Sequence, residues 1–128
     1  MPEIDSQHQE MFRLAGELRQ AVLESEKAER LALRARLLAD CLAGHLTFEE
    51  RLMRDAEYPS LEWHERQHRT ARSKLAALRS SIEDAQRQSV FEAVESLAAW
   101  MRDHTAVADR MAGAYLRNHW RASACTIC

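Results

Sequence analysis

Glycine and proline are scarce in this chain, with 3 and 2 residues of each in 128. A sandwich or barrel of short strands needs a turn signal every ~8–12 residues, and these few breakers do not supply them. Cysteine is scarce too, and its count of 3 is odd, with Cys125 and Cys128 crowded into the last stretch. A disulfide framework is therefore not expected, and a reducing cytoplasm fits. Long apolar runs are missing: nothing approaches the ~20 residues of a membrane span. No basic-then-apolar leader opens the sequence. An excess of charge is missing as well. The net charge is −2, with acids and bases interspersed, which removes the electrostatic basis for capturing nucleic acid or an anionic membrane. What remains, 46% hydrophobic and 30% charged residues, is the composition of a globular domain of ordinary size.

The apolar residues recur with helical spacing. Ile4, His8, Met11, Ala15, Leu18 and Val22 follow one another at intervals of 3 and 4. The same rhythm joins Leu38, Leu42, His45, Glu49 and Leu52, then Leu61, His64, His68, Ala71, Leu75, Leu78 and Ile82. It returns from Val90 through Val94, Leu97, Met101, His104, Ala108 and Met111 to Tyr115. Each series is a stripe along one helix face, and no segment alternates with period two. Ser6 with Gln9, and Ser89 with Glu92, read as capping boxes that start helices. Tyr58-Pro59-Ser60 ends one helix and offers Ser60 as the cap of the next. The spacing predicts helices over 6–24, 28–56, 61–86 and 90–118, with a break near Ser25 to Ala28. Short connections make sequential helices antiparallel neighbours, so an all-α, up-down-up-down four-helix bundle over residues 1–118 is expected. Residues 119–128 read as a fraying end and a tail carrying a C-x-x-C, Cys125 to Cys128.

Polar residues sit where the core should be. Five of the 6 histidines, His8, His45, His64, His68 and His104, lie on these stripes. Glu49 follows His45 by four residues, as His68 follows His64, and residues four apart share a helix face. Asp109 follows His104 by five, which carries it ~140° around an ideal helix while still flanking the seam. In an up-down-up-down bundle the starts of the first and third helices meet the ends of the second and fourth. At 1.5 Å per residue all seven groups then fall within roughly 5–20 Å of one end. Burying them without strong partners would cost several kcal/mol each, against a total stability of ~5–15 kcal/mol. A metal satisfies them together. Seven ligands exceed what one ion takes, and two ions with bridging carboxylates fit. Nitrogen and oxygen donors without thiolate suit iron, manganese or zinc, and carboxylate-bridged iron in a helical bundle is a known solution to this geometry.

The ordered set resembles the hemerythrin family. The matching residues are Ile4-Asp5-Ser6-Gln7-His8, then His45-Leu46-Thr47-Phe48-Glu49-Glu50 with Met53, Tyr58-Pro59 with His64 and His68, and Trp100 with His104 and Asp109. The resemblance implies two iron ions. His64, His68 and His104 would hold one, and His8 and His45 the other. Glu49 and Asp109 would bridge them together with an oxo or hydroxo group. The two-histidine iron would keep an open position for dioxygen or a related small ligand, within a pocket that includes Phe48, Trp100, Met101 and Thr105. Thr105 stands where the family usually has Ile, and Met101 where Leu is common. The implied role is oxygen sensing, carriage or storage, with a signalling domain upstream in a longer chain as a partner. The alternative on the same scaffold is a diiron peroxidase, oxidase or nitric-oxide-reactive enzyme. His119 reads as a solvated residue of the tail, and Cys41 as a small core hydrophobe.

Overall fold

The computed structural model describes residues 2–84 and 86–127, with side chains as far as Arg121. Those residues are all helical apart from short turns, with no strand. The helices are α1 (Pro2–Leu23), α2 (Ala28–Asp55), α3 (Leu61–Glu83), α4 (Arg87–His104) and α5 (Arg110–Ile127). A π-helical turn, Thr105–Asp109, joins α4 to α5 without leaving right-handed helical dihedrals, so the last two helices form one continuous rod. Contacts run around a ring, α1 to α2, α2 to α3, α3 to α4 and α4 back to α1. This is a four-helix bundle.

Two of the turns have the same construction. Ser25 and Glu57 both adopt left-handed dihedrals, with φ of 57° and 54°. At the first, Glu26 N–H donates to the Ala21 carbonyl at 3.0 Å and Ser25 N–H to Val22 at 3.1 Å. At the second, Tyr58 N–H donates to Met53 at 2.9 Å and Glu57 N–H to Arg54 at 3.1 Å. These are Schellman motifs, which satisfy the carbonyls a helix end leaves open. The hydrophobic contact that accompanies such a motif is supplied at the second by Tyr58 packing with Met53. The Tyr115 hydroxyl donates to the Ala56 carbonyl at 3.0 Å, tying α5 to this turn.

Several helix ends depart from expectation. Helix α1 begins at Pro2, not at Ser6. Proline suits the first helical position, where no N–H is needed, and Glu3 and Asp5 complement the helix dipole. Ser6 therefore lies inside the helix and caps nothing. Helix α4 begins at Arg87, with extended Gln86 before it, so Ser89 sits within the first turn. Ser60 does precede α3, but its hydroxyl makes no capping bond. Helix α3 stops at Glu83, three residues before the expected end. At the other extreme, α5 runs on to Ile127 instead of ending at 118. No glycine or proline follows Gly113, so no breaker interrupts the helix past Leu116, the last fully buried side chain among the described residues. The expected C-x-x-C of Cys125 and Cys128 lies outside the described side chains.

The core is layered. The largest apolar cluster includes Met11, Leu18, Leu38, Leu42, Leu46, Leu75, Leu78, Leu97 and Met101. Two smaller clusters, Ile4 with Ala56 and Leu116, and Met53 with Tyr58 and Ala112, close the other end. Between these apolar layers lie the buried polar side chains His45, Glu49, His64, His68, His104 and Asp109.

Candidate metal centre

Helical register delivers each polar group to this layer. His45 and Glu49, one turn apart on α2, place Nε2 3.3 Å from Oε2. His64 and His68, one turn apart on α3, stand edge to face with ring centroids 4.6 Å apart. His104 and Asp109 are five apart, and the π turn between them absorbs the extra residue. Instead of diverging by ~140°, they meet, with Nε2 2.9 Å from Oδ1. A π turn inside an α-helix is rare and concentrates at functional sites.

The two carboxylates divide their oxygens between two groups of histidines. Glu49 Oε1 lies 2.5 Å from His64 Nε2 and 3.2 Å from His68 Nε2. Asp109 Oδ1 lies 3.0 Å from His64 and 2.9 Å from His104. The other oxygens face the other way. Asp109 Oδ2 is 2.9 Å from His8 Nε2 and 4.0 Å from His45 Nε2, while Glu49 Oε2 approaches His45. Two clusters of candidate metal ligands result: Glu49, His64, His68, His104 and Asp109 on one side, and His8, His45, Glu49 and Asp109 on the other. Both carboxylates belong to both clusters. All seven residues expected as ligands are thus brought to one place.

The donor atoms are left without hydrogen-bond partners. His8 Nε2, His45 Nε2, His68 Nε2 and all four carboxylate oxygens are buried and unsatisfied. His64 and His104 point their Nε2 atoms at each other across 3.1 Å. An unpaired buried polar group costs ~1–3 kcal/mol, so this concentration of converging nitrogen and oxygen atoms fits metal cations and is otherwise unfavourable. Two of the outward nitrogens are held. His45 Nδ1–H donates to Gln7 Oε1 at 2.6 Å, and His104 Nδ1–H to Gln67 Oε1 at 2.7 Å. Each bond fixes the tautomer that leaves the Nε2 lone pair facing inward. His68 Nδ1 faces Glu50 at 3.7 Å, itself clamped by Arg72. Trp100 stacks on His104, with centroids 4.4 Å apart and planes within 15°.

Charge reinforces the arrangement. Burial pushes the Glu49 carboxyl up, but His45, His64 and His68 outweigh it and hold the group at about 2. Burial likewise opposes ionisation of Asp109, and His104, His64 and His8 hold it far below the usual carboxylate range. Burial pulls the His64 imidazole down, yet Asp109 and Glu49 push it up to about 9. Burial dominates at His104 and lowers its pKa. Both carboxylates are therefore anionic at neutral pH and offer negative charge to cations.

A cleft of about 250 Å³ reaches the side with fewer histidines, passing Ile4, Thr105 and Arg110 to His8 and Asp109. Of the four residues expected around a bound small ligand, Thr105 lines this cleft, and Phe48, Trp100 and Met101 do not. Phe48 packs with the cluster around Ile4, and Met101 is fully buried in the large core. The Thr105 hydroxyl donates to the Arg102 carbonyl at 3.2 Å rather than to the site. His119 is half-buried and stacks on Tyr115, with centroids 6.3 Å apart, so it is not the free tail residue expected. Cys41 is a free, half-buried thiol whose pKa burial pushes up, as suits an unreactive side chain. Sequence reasoning gave no role to Gln7, Gln67 or Glu50. The signal was a repeated Gln-His pair, Gln7-His8 and Gln67-His68, in which each glutamine serves a histidine on the next helix.

A helical bundle with a buried, anion-rich cluster of imidazoles and carboxylates defines a cation-binding helical protein. The chain belongs to the hemerythrin family: the family model for the hemerythrin HHE cation-binding domain matches residues 2–116. No curated protein and no solved structure matches the chain. No helix among the described residues is long and apolar enough to cross a membrane.

Proposed function

We propose that this protein is a non-haem diiron protein that binds dioxygen or a related small ligand, for sensing, carriage or storage. His64, His68 and His104 hold one iron, His8 and His45 the other, and Glu49 and Asp109 bridge them. One observation carries the reading: each carboxylate turns one oxygen to a three-histidine group and the other to a two-histidine group. An unequal division leaves one ion short of a protein ligand, and an open position is where small molecules bind. The cleft meets the site on that poorer side. When bound, two iron ions would supply electrons and a Lewis-acidic position for dioxygen. The chain's own work is to orient imidazoles through Gln7 and Gln67, to neutralise cation charge through the carboxylates, and to exclude water with apolar layers above and below.

The up-down-up-down course belongs to this reading. Along α1 and α3 the order is end cluster, site, large core; along α2 and the last rod it is the reverse. That alternation supports antiparallel neighbours. A cytoplasmic location and a signalling domain in a longer chain complete the proposal. A second reading, a diiron oxidase, peroxidase or nitric-oxide-reactive enzyme, is favoured by the polar lining of the cleft, because a water-accessible site promotes turnover over stable binding. Anaerobic reduction of the iron-loaded protein followed by air separates the two. Visible ligand-to-iron bands that form and persist mark a binder, and bands that decay with substrate consumption mark an enzyme. The purified protein should carry two irons per chain, and Glu49→Ala should lose at least one. One tightly bound zinc with no affinity for iron would overturn the diiron reading.

A further inference from the structure

The cleft has a charged wall. Its α5 side consists of Arg110, Gly113 and Arg117, and positions three, four and seven apart share a helix face. Two guanidinium groups therefore flank a residue with no side chain. A Cβ on Gly113 would lie 3.5 Å from Arg117 Nη1, so the Arg117 head group lies beside the space the glycine leaves. Among the described residues neither Arg110 nor Arg117 has an ion-pair or side-chain hydrogen-bond partner. On the facing wall, Asp5 already has a partner. The Thr105 hydroxyl is committed to its own helix. At the floor, His8 Nε2 and Asp109 Oδ2 are unsatisfied.

We propose that Arg110 and Arg117 draw small anions into this cleft, so that a small inorganic oxyanion reaches the donor-poor half of the metal site faster than it would without them, while the entry of neutral ligands is unaffected. The inference rests on the two-metal reading above. A space of about 250 Å³ is below the ~300 Å³ at which pockets begin to enclose drug-sized molecules, and it accommodates an inorganic ion of a few atoms. An anion entering it gives up water, and unpaired guanidinium groups replace that water with charge-assisted hydrogen bonds. Asp5 and Asp109 also line the cleft, but Asp5 already has a partner and Asp109 faces the histidines, so the two unpaired guanidinium groups are the charges left to attract an anion and raise its association rate.

The test uses iron-loaded full-length protein, nitrite as the anionic probe and nitric oxide as the neutral one, with binding followed by stopped-flow absorbance. Both arginines are exposed, so their substitution does not threaten the fold. Arg110→Gln with Arg117→Gln should slow nitrite association about ten-fold at low ionic strength and leave nitric oxide within about two-fold. Arg110→Lys with Arg117→Lys should restore most of the nitrite rate. The difference should vanish near ~1 M salt, where the screening length is ~3 Å. An unchanged nitrite rate in the glutamine variant overturns the proposal, and so does an equal slowing of both probes, which marks a steric gate. If the wild-type chain takes up no iron, the diiron reading falls and this inference with it; two irons with equal nitrite rates in all variants sink this inference alone.

Discussion

Gln7 and Gln67 give the sharpest test of how the site is built, because each should control one metal and not the other. His45 is 2% exposed, and its Nδ1–H has Gln7 Oε1 as acceptor at 2.6 Å. Replacing Gln7 with Leu keeps the approximate volume and removes the acceptor. The ring then either keeps an unpaired buried donor, at ~1–3 kcal/mol, or moves its proton to Nε2. The second outcome spends the lone pair that faces the metal. Either way the penalty falls on ligation by His45, and at ~1.4 kcal/mol per decade it corresponds to the ~10–100-fold loss of metal affinity typical of such supporting bonds. Gln67→Leu removes the equivalent bond to His104, 2.7 Å long, and should act on the three-histidine side. Gln7→Glu retains an acceptor and strengthens it, so it should preserve or improve affinity. Competitive metal titration of each variant, with bound metal counted by elemental analysis, would read two separable steps. Gln7→Leu should weaken the looser step and Gln67→Leu the tighter. If both variants weaken both steps equally, or Gln7→Glu is as damaging as Gln7→Leu, these glutamines do not act through histidine orientation.

The metal-free protein should lose stability as pH rises. His64 is pushed up to about 9 from an ordinary 6.5, so its contribution is complete below ~6.5 and disappears through ~9; urea unfolding followed by circular dichroism should show a loss on the order of 3 kcal/mol over that span, absent in His64→Gln, and a flat profile would refute it. Glu49, held at about 2 against 4.5, acts in the opposite sense: its contribution is present above ~4.5 and lost as pH falls toward ~2, so a second decline is expected in acid. Glu57→Gly should raise thermal stability by about 1 kcal/mol, because glycine adopts the left-handed dihedrals at φ 54° without a Cβ penalty; a lowered melting temperature would show that the Glu57 side chain contributes more than its backbone costs.

The four apolar stripes and the histidines among them were legible because burial imposes helical spacing directly on residue type. Residues such as Leu38, Leu42 and His45 keep that spacing whether or not the caps are read correctly. The caps were less legible. Ser6 and Ser89 have capping-box neighbours, but a compatible residue already extends the helix on their N-terminal side, proline at position 2 and arginine at 87. The π turn was not visible in the stripe, since counting residues assumes one pitch throughout. The five-residue step from His104 to Asp109 was its only trace, and it looked like a misfit. Gln7 and Gln67 escaped because each acts across to a neighbouring helix, and a one-dimensional spacing rule records only partners along the same helix.

The site is built from two similar halves. In each, a Gln-His pair on the first helix is followed by a histidine and then a carboxylate on the second, and the glutamine binds the second helix's histidine. Each carboxylate meets the histidine of its own helix, 3.3 Å from His45 and 2.9 Å from His104. Each also meets the first-helix histidine of the opposite half, 3.2 Å from His68 and 2.9 Å from His8. The contact pattern of α1 and α2 is thus repeated by α3 and the last rod. One residue breaks it. His64 stands one turn before His68, and one turn before His8 stands Ile4, a buried hydrocarbon side chain at the lip of the cleft. A perfectly repeated design would surround both positions alike. Here the inequality between them comes down to one pair of related places in the chain, with an imidazole in one and a branched alkyl group in the other.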